Sequence, residues 1–310
     1  MLYAAIGAGA AVLLAVIIFY FYVFVKCYIR KDSPPLETLD LSNTHYAKYE
    51  DELLETLAKV KSMAYEPVRI KAFDGIDLGA RFYDFGFDKT VIALHGYRAI
   101  PYNNIHAGFL TMKELGYNVL LVSQRAHYDS GGRAITFGER EQRDLLSWLD
   151  YITERRPGDK IALYGISMGC ATICLSSDKL SGYPNVKLLV LESGYRVFYE
   201  SLSASGDIYG KFKHVIGFFI YISGLMILRV NIKKNIMDSR LSKCEVPAFF
   251  IHGTEDKNVD PENARKNFAS IASRQKDMIL VEGAGHAEAF IADRKNIQER
   301  LGDFMLKVGA

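Results

Sequence analysis

Apolar residues along the chain fall into short runs, and most segments between them repeat apolar positions at the spacing of an α-helix. The first two runs, residues 68–73 and 78–83, alternate with polar positions around Asp74-Gly75, which predicts a β-hairpin. Six later runs predict strands at residues 91–94, 119–122, 161–164, 187–191, 248–251 and 278–281. The helical spacing predicts helices near residues 105–115, 139–154, 169–180, 261–272 and 293–307. This alternation indicates an α/β fold, and we expect a mostly parallel eight-stranded sheet with helices on both faces.

The N-terminal segment has a different pattern, because residues 2–25 contain no charged side chain. About 20 such residues are enough to cross the hydrocarbon core of a bilayer as a helix. No basic residue precedes the segment and no small-residue cleavage site follows it, which favours an uncleaved anchor over residues 1–31 rather than a signal peptide. Positive charges follow at Lys26, Arg30 and Lys31. The positive-inside rule therefore predicts a single-pass membrane protein whose C-terminal bulk lies in the cytoplasm.

Residues 32–65 are expected to connect this anchor to one globular domain over residues 66–310. The connection begins with a short polar break, Asp32-Ser33-Pro34-Pro35. Apolar positions at helical spacing then predict an amphipathic helix over residues 44–62 that packs against the domain. At 310 residues the chain is long enough for one such domain and an N-terminal extension.

One gap breaks the alternation of strands and helices, because 56 residues separate the run ending at residue 191 from the run beginning at residue 248. A bare loop of that length is uncommon, so we expect a helical cap insertion at about residues 194–245. Its apolar stretch, residues 215–230, is short for a membrane span and is interrupted by Arg229. We favour a helical cap over the functional site of the domain, with the apolar face of the cap toward the bilayer. Ordinary core packing and a second span are the alternatives.

The composition excludes some function classes. Charged residues make up 24% and hydrophobic residues 49% of the chain, and the net charge is +2, which with no basic stripe argues against nucleic acid as a partner. The sequence indicates no obligate protein partner. No metal or organic cofactor is expected, because metal-ligand spacing is missing from the four cysteines, Cys27, Cys170, Cys174 and Cys244. Cys27 lies at the edge of the predicted anchor and is either an ordinary interfacial cysteine or an acylation site.

A candidate nucleophile stands between a predicted strand and a predicted helix. The apolar run at residues 161–164 ends in Gly165-Ile166-Ser167-Met168-Gly169, and helix-forming residues follow. Glycines at both ends suit a turn too tight for Cβ atoms, and the turn aims the helix N-terminus at charge that develops beside Ser167. A strand, a turn and a helix are the context that this motif requires, although a glycine-rich turn with an incidental serine has the same five letters.

A serine hydroxyl needs a base within hydrogen-bond reach, and reactive groups in an open α/β sheet collect beyond the carboxyl ends of the strands. Asp256 follows the predicted strand at residues 248–251, and His286 follows the one at residues 278–281. The order Ser167, Asp256, His286 matches the order of nucleophile, acid and base in one class of serine enzymes. Glu255 and Glu192 are weaker alternatives for the acid.

Two backbone N–H groups are candidates for holding an oxyanion. Met168 follows the nucleophile at the start of the helix, and Tyr97 lies in the loop after the predicted strand at residues 91–94. Gly96 allows the backbone of that loop to approach a substrate closely. Three further histidines are interpreted as structural residues of their loops: His95, His127 and His252.

Over roughly residues 66 to 308 the chain resembles serine hydrolases of the α/β-hydrolase superfamily. It is most similar to membrane-anchored bacterial members related to prolyl oligopeptidase-like and lysophospholipase-like enzymes. The resemblance rests on motifs at His95-Gly96-Tyr97, Gly165-Ile166-Ser167-Met168-Gly169, His252-Gly253-Thr254-Glu255-Asp256 with Val259-Asp260-Pro261, and Gly285-His286. It implies that Ser167 is the nucleophile, that His286 is general base and then acid, and that Asp256 orients the imidazole.

One loop departs from the pattern of these relatives, which often carry Asp-x-Arg-Gly-His-Gly-x-Ser after the strand at residues 119–122. Here Arg125, His127 and Ser130 match, whereas Ser123, Ala126 and Tyr128 do not, so the shape of the nearby pocket is open.

The resemblance implies a membrane-anchored serine hydrolase that cleaves a carboxylic ester or thioester through an acyl-enzyme, with a lipid-like ester as substrate. The alternatives are a serine peptidase of the prolyl oligopeptidase-like type and a membrane-tethered binding protein without turnover.

Overall fold

The protein is described by a computed structural model that covers residues 2–31, 38, 46–199 and 212–310. Its centre is an eight-stranded sheet in the order β1-β2-β4-β3-β5-β6-β7-β8. The strands are β1 (Glu66–Lys71), β2 (Asp77–Tyr83), β3 (Lys89–Leu94), β4 (Asn118–Val122), β5 (Lys160–Ile166), β6 (Val186–Glu192), β7 (Ala248–Gly253) and β8 (Lys276–Val281). β2 runs antiparallel to β1 and β4, and every other pair is parallel. The predicted hairpin and the mostly parallel eight-stranded sheet are therefore confirmed.

Helices cover both faces of this sheet. They are α1 (Leu2–Tyr28), α2 (Glu50–Ser62), α3 (Pro101–Glu114), α4 (Glu141–Arg155), α5 (Met168–Ser176), α6 (Lys213–Ser223), α7 (Asp238–Leu241), α8 (Glu262–Ser270), α9 (Ala289–Ala292) and α10 (Arg294–Val308). Alternate residues of β3 enter different cores, because side chains alternate across a strand. Ile92 packs in the core that includes Trp148 of α4, and Val91 packs in the one that includes Phe109 of α3. The prediction of helices on both faces is confirmed.

The described part of the cap insertion contains the helices α6 and α7, and residues 229–237 between them are not helical. α6 continues into a π-helical turn, Gly224–Leu228, which ends where Arg229 takes a left-handed conformation (φ 58°) and donates its N–H to the Gly224 carbonyl. Residues 200–211 of the predicted insertion lie outside the described residues. Its predicted limits, like the other domain limits, stay predictions.

α1 is exposed along most of its length and buried only at its C-terminal end. Within the described ranges, the 26-residue segment Tyr3–Tyr28 is the one helix long and apolar enough to cross a membrane, with a mean hydropathy of 2.6. α1 packs on α6, where the rings of Phe19 and Phe219 meet edge to face at 5.1 Å, and the hydroxyl of Tyr28 donates to the carbonyl of Ile220 at 2.8 Å. The apolar stretch of the insertion therefore lies beside the N-terminal helix.

Several helix limits differ from the predictions. The helix expected over residues 44–62 begins at Glu50, after a 3-10 turn over Ala47–Tyr49, and its first two predicted residues lie outside the described ones. The helix expected at residues 169–180 ends as an α-helix at Ser176 and continues as a 3-10 helix, Ser177–Gly182. The four-residue helices α7 and α9 were not predicted, because one turn is too short to show a periodic pattern.

Candidate functional site

Ser167 stands in a sharp turn between β5 and α5. Its φ of 53° is left-handed, a conformation that costs energy for a residue with a side chain. The glycines on either side allow the turn. A Cβ on Gly165 would lie 2.5 Å from the carbonyl carbon of Gly169, and a Cβ on Gly169 would lie 2.1 Å from the carbonyl oxygen of Leu94. The glycines of the motif are thus required by the contact of α5 with β5 and β3.

The structure brings the three residues singled out in the sequence into one hydrogen-bonded line. Nε2 of His286 lies 3.0 Å from Oγ of Ser167, and Nδ1 of His286 lies 2.8 Å from Oδ2 of Asp256. Both distances lie in the range of ordinary hydrogen bonds. The imidazole can therefore accept the serine proton at Nε2 while the carboxylate fixes its other nitrogen as the N–H.

Asp256 is held in place from several sides. Its Oδ1 accepts the backbone N–H groups of Asn258 (2.9 Å) and Val259 (2.8 Å), and Nε2 of His252 lies 3.1 Å from its Oδ2. Burial on its own raises the pKa of Asp256, but hydrogen bonds from His252 and His286 outweigh it, so the pKa of this carboxyl lies well below its usual range. The charged carboxylate is the form that this site stabilises.

The two alternative acids are placed differently. Glu255 is exposed. Glu192, at the end of β6, is 1% exposed, and its Oε2 accepts the hydroxyl hydrogen of Tyr164 at 2.6 Å. Burial raises the pKa of Glu192 to about 7, although the bond from Tyr164 opposes this rise. Nδ1 of His286 is engaged by Asp256 rather than by either glutamate.

The two candidate oxyanion donors flank Ser167. Met168 is the first residue of α5, so its N–H has no carbonyl partner within the helix. The loop after β3 passes close to the serine, because a Cβ on Gly96 would lie 3.4 Å from the Cβ of Ser167. Tyr97 follows in this loop, and the N–H of Gly96 is fixed by the side chain of Asn104 at 2.7 Å. The loop after β3 and the start of α5 therefore meet at Ser167.

Two buried histidines hold the loops that carry this region. His95 accepts the N–H of Gln124 at Nε2 (3.0 Å), and His127 accepts the N–H of Arg98 at Nε2 (2.9 Å). Each Nδ1 lies within 2.8 Å of a backbone carbonyl, so each ring carries its proton there. Burial lowers the pKa of both imidazoles. These contacts agree with the interpretation of His95 and His127 as structural residues.

The loop that departs from the pattern of the relatives is stabilised by its matching residues. The guanidinium of Arg125, 1% exposed, is paired with Asp144 (2.6 Å) and Asp74 (3.0 Å), and Oγ of Ser130 accepts the N–H of Gly79 at 2.8 Å. Two of the three replaced positions, Ala126 and Tyr128, have positive φ. The contacts of Arg125 and Ser130 that stabilise this loop are present despite the replacements.

A cavity of about 190 Å³ lies on the α3 side of the sheet. Ile166 and Ala287, which are neighbours of Ser167 and His286, contribute to its wall, as do Tyr164 and Glu192. In the described ranges no group of three or more His, Cys, Asp or Glu side chains is arranged to hold a metal ion. The site therefore combines a candidate nucleophile, a candidate base and candidate oxyanion donors, and residues next to Ser167 and His286 in sequence line a small cavity.

Sequence reasoning did not find two features of the site. The prediction of His252 as a structural loop residue is wrong about its place, because His252 lies in β7. Its contact with Asp256, four residues later, depends on the direction of the imidazole, which the sequence does not show. The side chain of Tyr97 was likewise given no role, yet its hydroxyl donates to the carbonyl of Cys27 at 2.7 Å, across 70 residues of chain.

The structure is similar to those of solved esterases. The esterase Pf2001 from Pyrococcus furiosus is 24% identical, and the match covers 81% of this chain and 95% of that chain with a TM-score of 0.66. Est1E from Butyrivibrio proteoclasticus, solved with ferulic acid, is 18% identical over 78% of this chain and 98% of that chain, with a TM-score of 0.61. These likenesses and the strand order show that the chain has the α/β-hydrolase fold.

The sequence comparisons are less specific. An uncharacterized protein of Bacillus subtilis, YqkD, is 24% identical over 312 residues, which cover 97% of this chain and 95% of that protein. No family model matches the chain.

Proposed function

We propose that this protein is a serine hydrolase that cleaves carboxylic ester or thioester bonds through an acyl-enzyme on Ser167. The observation that carries the proposal is the hydrogen-bonded line from Ser167 through His286 to Asp256. The esterase structures of the same fold support the choice of an ester as substrate. No step of the proposed reaction requires a metal or an organic cofactor.

The reaction follows from the positions of the atoms. Oγ of Ser167 attacks the substrate carbonyl carbon while Nε2 of His286 takes its proton, and Asp256 stabilises the imidazolium. The oxyanion is held by the N–H groups of Met168 and Tyr97, each donor of this kind contributing about 3 kcal/mol to the transition state. His286 returns the proton to the leaving alcohol or thiol. Water, activated by the same nitrogen, then releases the acid from Ser167.

The location of apolar surface supports an amphiphilic substrate such as a lysophospholipid, an acylglycerol or an acylated protein. α1 serves as an uncleaved membrane anchor in this proposal, with the catalytic domain in the cytoplasm. The insertion beside it exposes large apolar side chains at Phe212, Val215, Phe218, Met226 and Ile227. Such a surface next to a membrane helix fits insertion into the lipid interface, where an acyl substrate is concentrated.

The test is covalent labelling of the detergent-solubilised full-length chain with a fluorophosphonate probe. We expect labelling of the wild type at Ser167, none in Ser167→Ala and strongly reduced labelling in His286→Ala and Asp256→Asn. A panel of esters of increasing chain length and a set of short peptides then distinguish the substrate classes. Cleavage of the peptides without cleavage of esters would support a peptidase, and a folded wild type that neither labels nor turns over would support a binding protein.

A further inference from the structure

The C-terminal end of α1 is packed against the loops that surround Ser167. Val23, Phe24, Cys27 and Tyr28 are each less than 9% exposed, although the helix before them is mostly exposed. The last carbonyls of any α-helix have no partner within the helix and need donors from elsewhere. In this protein the donors come from the loops at the candidate active site.

Two consecutive residues of the β3 loop supply most of these donors. The hydroxyl of Tyr97 donates to the carbonyl of Cys27 at 2.7 Å. The guanidinium of Arg98 donates to the carbonyls of Lys26 and Ile29, the latter at 3.3 Å. A cation at this position also complements the partial negative charge at the C-terminus of a helix.

The loop after β4 is tied to the same chain segment. The guanidinium of Arg30 donates to the carbonyls of Tyr128 (2.6 Å) and Ser130 (2.7 Å), and Ile135 donates its N–H to the carbonyl of Tyr28 at 2.8 Å. His127, in this second loop, accepts the N–H of Arg98. The two loops and the end of α1 therefore form one hydrogen-bonded unit, which we call the α1 junction: residues 26–30 with residues 97–98 and 127–135.

The backbone at the junction is strained and depends on such bonds. Arg98 has a φ of 57° and Tyr128 has a φ of 38°, both in the left-handed region that residues with side chains rarely adopt. Conformations of this kind persist only where the surroundings impose them. The bonds from Tyr97 and Arg98 to α1 add to the contact between the Arg98 N–H and His127, and together they hold the turn that contains the Tyr97 N–H.

We propose that the end of α1 is a structural part of the active site, and that Tyr97 and Arg98 act through their side chains as positioning residues for the Tyr97 N–H. This inference rests on the proposed function, since it assigns that N–H to the oxyanion. The membrane anchor therefore does more than tether the enzyme. Its last carbonyls fix the loop that stabilises charge in the transition state.

Anchoring alone does not account for these contacts. A tether needs only a covalent link and a hydrophobic helix, and the packing of Phe19 on Phe219 already joins α1 to the insertion. The bonds from Tyr97 and Arg98 lie instead on residues adjacent to the proposed oxyanion donor. A correctly positioned donor stabilises the transition state more than the bound substrate. Loss of its position should therefore lower kcat and leave KM unchanged.

The experiment compares Tyr97→Phe, Arg98→Ala and Arg98→Lys in the full-length chain, using a short-chain soluble ester so that access from a membrane is irrelevant. Tyr97→Phe removes the hydroxyl but keeps the backbone N–H, and Tyr22→Phe makes the same chemical change at an exposed position of α1. We expect Tyr97→Phe and Arg98→Ala each to lower kcat about tenfold, the equivalent of about 1.4 kcal/mol, with KM unchanged within about twofold. Arg98→Lys should recover part of the loss, and Tyr22→Phe should match the wild type.

The Ser167→Ala variant distinguishes a failure of this inference from a failure of the proposed function. If the wild type shows hydrolysis that Ser167→Ala abolishes, the proposed function stands. The inference is then overturned when Tyr97→Phe and both Arg98 variants keep the wild-type kcat, or when only KM changes. If wild-type hydrolysis does not depend on Ser167, the proposed function itself fails. Thermal unfolding of each variant shows whether a lost rate reflects lost folding, and the mild Tyr97→Phe and Arg98→Lys changes provide folded proteins.

Discussion

Nε2 of His252 lies 3.1 Å from Oδ2 of Asp256, the same oxygen that Nδ1 of His286 contacts at 2.8 Å. His252 is fully buried, and its Nε2 also lies 2.9 Å from the carbonyl of Val259. A nitrogen between two acceptors must carry the proton, and Nδ1 of this ring has no hydrogen-bond partner among the described residues. His252 is therefore a fixed donor to the carboxylate oxygen that His286 also contacts.

Removal of this donor should impair turnover without removing the base. We expect His252→Ala to lower kcat about tenfold, because Asp256 loses one of the bonds that orient it toward His286. His252→Gln keeps an N–H donor and should retain more of the rate. Steady-state kinetics on a soluble ester check the prediction, with circular dichroism as the folding control. Equal rates for the alanine variant and the wild type would show that the backbone bonds to Asp256 are sufficient.

The close packing of Gly169 in the turn at Ser167 predicts that a larger residue there will destabilise the protein. A Cβ on Gly169 would lie 2.1 Å from the backbone oxygen of Leu94, which cannot move without disturbing β3. We expect Gly169→Ala to lower the free energy of unfolding by about 3 kcal/mol or more. At Gly158 no described atom beyond its chain neighbours lies within 4 Å of such a Cβ, so Gly158→Ala should change stability by less than about 0.5 kcal/mol. Denaturant unfolding measures both, and a tolerated Gly169→Ala would mean that α5 can move away from β3.

The burial of Glu192 predicts that the stability of the protein depends on pH. Burial raises its pKa from 4.5 to about 7 in the folded protein, so its contribution to stability is complete below about pH 4.5 and is lost as the pH rises to about 7. Glu192→Gln has no such titration and keeps an acceptor for Tyr164. The variant should therefore gain stability relative to the wild type between about pH 4.5 and 7, by up to about 3 kcal/mol.

Denaturant unfolding at a series of pH values tests this, with Glu255→Gln as a control at an exposed glutamate. A stability difference for Glu192→Gln that changes with pH no more than the difference for the control would mean that Glu192 ionises as readily in the folded chain as in the unfolded one.

The exposed apolar face of the insertion predicts a difference between the hydrolysis of membrane-embedded and of soluble esters. Phe218 is 52% exposed on α6, the helix that packs on α1. A charge on this face should weaken its insertion into lipid, so Phe218→Glu should lower the hydrolysis of an ester embedded in vesicles by about fivefold or more. The rate on a soluble short-chain ester should be unchanged. Leu306 is an exposed apolar residue of α10, and Leu306→Glu should leave both rates unchanged. Equal losses on both substrates for Phe218→Glu would place the effect in folding or in the site, not in lipid contact.

Much of the fold could be predicted because its signals are local. Six strands, β3 to β8, appear in the sequence as short apolar runs, which buried parallel strands produce directly, and β1 and β2 appear as the alternating runs of a hairpin. Ser167, Asp256 and His286 could be predicted as neighbours because each directly follows a strand, and the carboxyl ends of parallel strands meet at one edge of the sheet.

The α1 junction could not be predicted, because the contacts of α1 with the two loops join residues 69 to 107 positions apart through backbone carbonyls. Every residue has a carbonyl, so no residue type at positions 26–29 marks it as an acceptor. The charge-free run predicts a membrane helix, but it does not indicate where the C-terminal end of that helix packs. His252 illustrates the same limit, since its role depends on a side-chain direction.

The most direct test of the account is rapid-mixing hydrolysis of a chromogenic ester by the full-length protein, followed by acid quenching and peptide mass analysis. We expect a burst of released alcohol of about one equivalent per protein, because acylation precedes the slower attack of water. We also expect the peptide that contains Ser167 to gain the mass of the acyl group. Turnover that persists in Ser167→Ala, or an acyl group found on another residue, would contradict the account.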